Sequence, residues 1–361
     1  MRTDQKLLVS SVTSSKKRFR SDARPGNRAG PFYALQLLCL VAGHGTIRDM
    51  GLAKFHPLVS LALSATLFIL GDEPAVPAAT PVRGPDLNGI RAAVERIRPL
   101  HSRLGKPKPG EWLAQHQEPG QTFDEYRACK PNRPDAQRKT MYIQPLGEFT
   151  ATQQRIVNET ADLLARFYGH PVRQLDPLGS SIVPETARRV HPSWGDKQIL
   201  TTYVLDEVLK PRRPKDAIAV LALTASDLWP GKGWNFVFGQ ASLTDRVGVW
   251  SLYRNGDPDT GEADYTLCLR RTLKTATHET GHMLGMLHCT AYTCGMNGSN
   301  HRAESDSRPL DFCPECVQKL WWACGTDPVK RCESLREFAQ QHKLEEEAEF
   351  WKQCIERLRG R

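Results

Sequence analysis

Three histidines and one glutamate stand at a spacing that can hold a metal ion and activate water. They occur in the run Thr277-His278-Glu279-Thr280-Gly281-His282-Met283-Leu284-Gly285-Met286-Leu287-His288, an H-E-x-x-H extended by x-x-G-x-x-H. On a helix, residues four apart share a face, so His278 and His282 can aim their imidazoles at one point. Neutral imidazole nitrogens suit zinc, and a catalytic zinc keeps three protein ligands and one open position for water. Zinc lowers the pKa of water bound there to roughly 7. Glu279 follows the first ligand and is placed to take that water's proton as general base. Gly285 can adopt positive φ and let the chain leave the helix. That turn would bring in His288 as third ligand.

Four cysteines follow at once. Cys289 and Cys294 form one short pair, and Cys313 and Cys316 form a C-x-x-C. Two such pairs match a closed tetrahedral zinc site of structural type. Two disulfides, which need an oxidising compartment, or four buried thiols are the other readings of the same residues. Cys289 adjoins His288, so a metal held by the cysteines would clamp the chain beside the third histidine. Met296 is placed either to run beneath the first metal or simply to fill a core gap.

The run from His278 through His288-Cys289, Cys294, Met296, Cys313 and Cys316 resembles the archaemetzincin family of metzincin-type zinc metallopeptidases. Trp234 to Asp245 is similar to the family's segment ahead of the zinc helix. Met296-Asn297-Gly298-Ser299-Asn300-His301, with Arg308-Pro309-Leu310, is similar to the segment behind it. Tyr142 to Gly147 fits the family's first core strand. The likeness spans roughly Leu104 to Cys324 and departs from the family at no metal-ligand position. It implies an α/β (α+β) fold: a metzincin-like zincin domain with a mixed twisted sheet, an active-site helix and a zinc-clamped C-terminal helical part. It further implies two zinc ions per chain. His278, His282 and His288 would hold the catalytic one, and Cys289, Cys294, Cys313 and Cys316 the structural one. The activity implied is hydrolysis of peptide bonds in a peptide or protein substrate, with Glu279 as catalytic residue. By the same resemblance, Gly239 to Leu243 is the sheet edge to which a substrate backbone could add as a strand.

The elements that must position these residues can be read in outline. Thr140–Gln144, Val172–Leu175 and Gln198–Tyr203 read as strands, and Thr150–Tyr168 as a helix with Ile156, Leu163, Leu164 and Phe167 on its apolar side. A helix is expected over Val204 to Leu209. Ala217 to Leu223 is continuously apolar, which predicts a central strand covered on both faces. Phe236–Ser242 and Val247–Tyr253 read as two further strands, Gly256–Tyr265 as a polar loop, and Leu267–Leu273 as the lead into the zinc helix. Val317–Ala323 is expected to be helical, and Lys330–Arg359 to be one long charged helix. Strands alternating with helices predict a mixed, mostly parallel sheet.

Ahead of the domain, Leu87–Arg98 reads as a short amphipathic helix ended by Pro99. Gly105 to Arg138 is broken by Pro107, Pro109, Pro119, Pro131 and Pro134, with Trp112-Leu113 and Phe123 as anchors. Residues 1–49 read as a disordered tail or an upstream artefact of a start at Met50. Met50 to Ala79 has the shape of a secretory signal: one positive charge, an apolar stretch from Leu58 to Leu70, then small residues and prolines. Export is therefore suspected, with a cytoplasmic location as the alternative. The expected division is tail to 49, leader 50–79, linker and short helix 80–103, peptidase domain 104–325 and C-terminal helix 326–361.

Composition bounds the rest. The 361 residues are 40% hydrophobic with a formal charge of +9. Eight basic residues against Asp4 and Asp22 place most of that excess in residues 1–30. A nucleic-acid partner would require a basic patch on the fold with interleaved aromatics, and none is visible. No apolar run approaches the length of a membrane span. The chain is expected to act as a monomer. Two other readings use the same residues: a catalytically silent, zinc-stabilised peptide-binding module, and a zinc hydrolase of non-peptide amides. Intact Glu279 argues against the first, since a pure binder has no use for that carboxylate. Substrate-binding residues are not legible. Glu304 and Asp306 are candidates for holding a free amine, His301 stands between the cysteine pairs, and no tyrosine or arginine is assigned to the oxyanion.

Overall fold

The computed structural model describes residues 6–10 and 86–360. The leader-like stretch Met50–Ala79 and the tail, apart from Lys6–Ser10, lie outside the described residues. Nine strands form one sheet among the described residues: β1 Lys6–Ser10, β2 Thr140–Leu146, β3 Val172–Gln174, β4 Arg188–Val190, β5 Lys197–Leu200, β6 Ala217–Thr224, β7 Asp227–Trp229, β8 Val237–Ser242 and β9 Val247–Ser251. Their order is β3-β2-β6-β9-β8-β7-β5-β4, with β1 added to β8. The β3, β2, β6 and β9 pairings are parallel, and β8 turns antiparallel to β9. The sheet is therefore mixed, as the alternation of elements predicts, but not mostly parallel: β1 with β8, β4 with β5, β7 with β8 and β8 with β9 all pair antiparallel.

β6 lies mid-sheet and is buried at every position. Leu221 and Leu223 face one core with the long helices, while Val220 and Ala222 face a second core with Val204, Leu205 and Val208. That two-sided cover is the physical reason for its unbroken apolar run. The helix Ala151–Tyr168 starts at a capping box in which Thr150 and Gln153 satisfy each other's backbone N–H groups, and it ends at Gly169 in the left-handed conformation.

Three expectations need correction. The segment Gln198–Tyr203 is strand only to Leu200; Thr201 onward is already helical and continues to Arg212. The polar loop ends early, because the zinc helix begins at Glu262 and runs to Met283. Glu262 and Asp264 in its first turn suit the positive end of the helix dipole. The C-terminal region is two helices, Pro328–Gln341 and Glu345–Leu358, reversed at Lys343 with φ +56°. Folding back lets Leu335, Phe338 and Trp351 enter the same core as the zinc helix.

That hairpin is bolted to the chain just ahead of Cys313. Asp311 accepts from Arg331 Nη2 at 2.7 Å, from Trp351 Nε1 at 2.7 Å and from the Phe312 N–H at 2.8 Å. Burial would raise the Asp311 pKa, but Arg331 and these donors hold it below the usual value. Asp311→Asn leaves the Arg331 charge buried without its partner, which should cost about 3–5 kcal/mol. The folded-state pKa is depressed, so this stability is present above about pH 4 and is lost as pH falls. Urea unfolding at pH 7 checks it: an unshifted midpoint in the variant would show that the pair contributes nothing. No helix among the described residues is long and apolar enough to cross a membrane.

Candidate active site

The zinc helix carries His278, Glu279 and His282 and stops where the third histidine requires. The N–H of Gly285 bonds to the His282 carbonyl at 2.8 Å, and that of Met286 to the Gly281 carbonyl at 3.0 Å, with Gly285 at φ +85°. This is a Schellman ending, and positive φ there is why glycine is needed. Tyr168 Oη donates to the Thr277 carbonyl at 2.7 Å and Tyr126 Oη to the Leu284 carbonyl at 2.8 Å, which fixes the helix end in place.

His288 is delivered to the other two. One ligand atom from each of the three histidines falls within 4.8 Å of the others. The Nε2 atoms of His278 and His282 are 2.9 Å apart. Each ring is oriented from behind. The Nδ1 of His278 donates to the Gly295 carbonyl at 2.8 Å, and the Nδ1 of His282 to the Met286 carbonyl at 2.7 Å. A carbonyl only accepts, so both protons sit on Nδ1 and both Nε2 lone pairs point inward. Two inward lone pairs at 2.9 Å repel unless something positive lies between them. The Nδ1 of His288 lies 3.0 Å from both oxygens of Glu118. Burial pushes the His278 imidazole down to about 3 and that of His282 well below its usual value, so neither is a cation here.

Three polar atoms of the same segment have no partner. His288 Nε2 and both carboxylate oxygens of Glu279 are buried without a hydrogen-bond partner. Buried polar groups are rarely left so, and a missing ion or water is one of the few explanations. Three imidazole nitrogens with a carboxylate next in sequence fit a zinc ion and a water in chemistry and in count. Burial raises the Glu279 pKa, as expected for a carboxylate with no charged neighbour. β8 passes directly over it: a Cβ on Gly239 would stand 3.2 Å from Glu279 Oε1. β8 pairs with β9 on one side. On the other, Gly239 to Ser242 is met by Lys6–Ser10 running antiparallel.

The four cysteines also converge. Cys289, Cys294, Cys313 and Cys316 are free and buried, with their sulfurs within 4.8 Å of one another. Cys289 and Cys313 Sγ are 3.6 Å apart, too far for a disulfide. Backbone N–H groups of Met296 and Cys313 donate to Cys294 Sγ at 3.3 and 3.2 Å, as they would to a thiolate. The neighbouring sulfurs pull the Cys289 thiol down, while burial pushes Cys294 up. Four sulfurs so close cannot all ionise without a cation, and a zinc ion fits them.

Met296 packs against the zinc helix at Gly281. A Cβ on Gly281 would come 2.5 Å from its sulfur, so glycine at this turn of the helix makes room for it. His301 caps the helix Arg302–Asp306, accepting from the Glu304 N–H at 3.2 Å, which is a structural role. Glu304 is spent on the N–H groups of Trp112 and Asn300 and on Arg308, and Asp306 on Arg271. Neither is the free amine anchor considered above. No tyrosine or arginine among the described residues is bonded to Glu279 or the three histidines. Glu118 and Trp112 were not singled out for the site by sequence. Trp112 packs edge-on to His288 with centroids 5.2 Å apart, over Gly298, whose lack of a side chain makes room for the indole.

The model for Peptidase family M54 matches residues 201–321. The chain is 36% identical to archaemetzincin-2 of Homo sapiens over 260 residues, covering 63% of this chain and 71% of that protein. It is 28% identical to archaemetzincin-1 of Homo sapiens over 261 residues, 64% of this chain and 52% of that one. The solved structure of archaemetzincin from Methanopyrus kandleri is 27% identical with a TM-score of 0.41, covering 54% of this chain and 99% of that chain.

Proposed function

We infer the function from one premise: the chain belongs to the archaemetzincin family of metzincin-type zinc metallopeptidases. It is a zinc-dependent peptidase. We assign His278, His282 and His288 as the ligands of the catalytic zinc, Glu279 as the proton carrier, and Cys289, Cys294, Cys313 and Cys316 as the ligands of a second, structural zinc. The observation that carries the assignment is twofold: one ligand atom from each histidine falls within 4.8 Å of the others, and His288 Nε2 and both Glu279 oxygens in the same segment are buried without a partner. When bound there, zinc supplies a Lewis acid for the scissile carbonyl and makes water acidic near neutral pH.

The chain's own groups do the rest. The two carbonyls and Glu118 fix the tautomers of the three imidazoles before any ion arrives. Glu279 takes the proton of the attacking water and hands it to the leaving amine nitrogen. The side of β8 at Gly239 to Ser242 that faces away from β9 is taken by Lys6–Ser10, and a peptide laid in that strand's place would be held by main-chain hydrogen bonds. The antiparallel addition of Lys6–Ser10 to that edge supports reading it as strand-accepting. The test is turnover of an unbiased peptide library: cleavage that a chelator abolishes and zinc restores is expected, and binding without turnover would favour the silent peptide-binding module.

Glu118 adds a separate prediction. A carboxylate behind a ligating histidine typically contributes 10- to 100-fold to metal affinity. Glu118→Ala is expected to weaken zinc binding by about that factor. Glu118→Gln should lose less, because its amide oxygen still accepts from Nδ1. Competition against a chromogenic chelator reads both. Equal affinity in all three proteins would reduce Glu118 to a packing residue.

A further inference from the structure

Beside the histidines lies a small cavity of about 30 Å³ that the catalytic scheme does not use. Its walls are Phe238 of β8, Lys274 and His278 of the zinc helix, and Ser299, Arg308 and Pro309 of the chain behind it. It therefore lies between the strand edge offered to substrate and the metal-binding face, where a side chain next to the scissile bond would point.

Two cationic side chains line it with donors to spare. Lys274 is buried, and its ammonium donates to the carbonyls of Ser305 at 2.8 Å and Asp306 at 3.1 Å. An ammonium carries three protons, so one remains. No carboxylate among the described residues pairs with Lys274. Asp306 is nearby but is tied to Arg271, and Glu347 is tied to Arg270. Arg308 bonds to Glu304 at 3.1 Å through Nη2, yet its Nε is buried with no partner. Lys274 is thus a buried cation with no carboxylate paired to it, which is costly, and an incoming anion would offset that cost.

We propose that this cavity is a substrate subsite for an acidic side chain, Asp or Glu, flanking the scissile bond, with Lys274 and Arg308 as its recognition residues. The assignment rests on the peptidase reading above and adds a substrate class to it. The competing structural role for Lys274 is to cap the last carbonyls of the helix Arg302–Asp306.

The experiment compares peptides identical except for Glu, Gln or Lys at each position flanking the cleaved bond. Zinc-loaded wild type should cleave the Glu peptide with a kcat/KM about tenfold or more above the Gln peptide at one of those positions, the size expected of a charge-assisted hydrogen bond. Lys274→Met and Arg308→Met should each bring the ratio close to one, and Lys274→Arg should keep it high. The ratio does not depend on how much enzyme is folded, so a purely structural Lys274 would alter activity but leave the ratio alone. An unchanged ratio in Lys274→Met, or no Glu preference in wild type, overturns the proposal. Binding of the same peptides to zinc-loaded Glu279→Ala, read by calorimetry, separates the two layers. Glu-selective binding without turnover in wild type would overturn only the peptidase reading. Absent or unselective binding would overturn the subsite.

Discussion

Glu279→Ala is expected to lower peptide cleavage by about 10²- to 10⁴-fold while leaving the zinc content of the protein unchanged. Both halves of that statement come from position. Glu279 is not among the residues whose ligand atoms converge with those of the three histidines. Its carboxylate is buried beside them with neither oxygen bonded, and β8 closes over it at Gly239. A carboxylate serving only the fold would be paired, because leaving it bare is destabilising. Removing it should therefore relieve a buried charge rather than break a contact, so the variant is expected to be at least as stable as the parent. Glu279→Gln, which keeps the shape and loses the base, should be nearly as inactive as the alanine variant. The measurements are kcat/KM on one cleaved peptide and metal count by native mass spectrometry. Retained turnover with retained zinc would remove Glu279 from the mechanism and leave the silent binding module as the better account.

The convergence of the three histidines was legible in the sequence because its geometry is local. His278 and His282 are four residues apart on one helix, and Gly285 must sit where φ turns positive, so spacing alone implied convergence with His288. The cysteine pairs were legible for the same reason. What the sequence did not offer was the surroundings. Glu118 reaches His288 across 170 residues from a proline-broken segment with no periodicity of its own. Lys274 and Arg308 meet at one cavity only because the Arg302–Asp306 helix folds back over the zinc helix. The C-terminal reversal at Lys343 was hidden because neither glycine nor proline marks it, and a lysine at φ +56° carries no compositional cue. The early start of the zinc helix did leave a cue in Glu262 and Asp264, which composition alone made look like a polar loop.

Native mass spectrometry of the wild-type chain should find two zinc ions, with one absent from His282→Ala and the other from Cys313→Ser. The two losses should differ in their consequences. The histidine site is assembled by hydrogen bonds that need no metal: the Gly295 and Met286 carbonyls and Glu118 already hold the rings. His282→Ala should stay folded. The cysteine site is also braced, by backbone N–H groups on Cys294 Sγ, but its four close sulfurs cannot all ionise without a cation. Structural zinc contributes about 10–16 kcal/mol to binding and folding in small zinc peptides. Cys313→Ser should thus lower the thermal midpoint far more than His282→Ala. Two consequences follow from connectivity. Cys289 adjoins His288, and the Cys289 N–H bonds to the Met296 carbonyl at 2.8 Å, so loosening the cysteines loosens the third histidine and the chain at Met296. Cys313→Ser should then also weaken the remaining catalytic zinc in a chelator titration, whereas His282→Ala should leave the cysteine-bound ion as tight as before. That asymmetry is the decisive reading. A Cys313→Ser protein that still carries two ions, or a wild type that carries one, would sink the second zinc site and leave the cysteines as packed thiols.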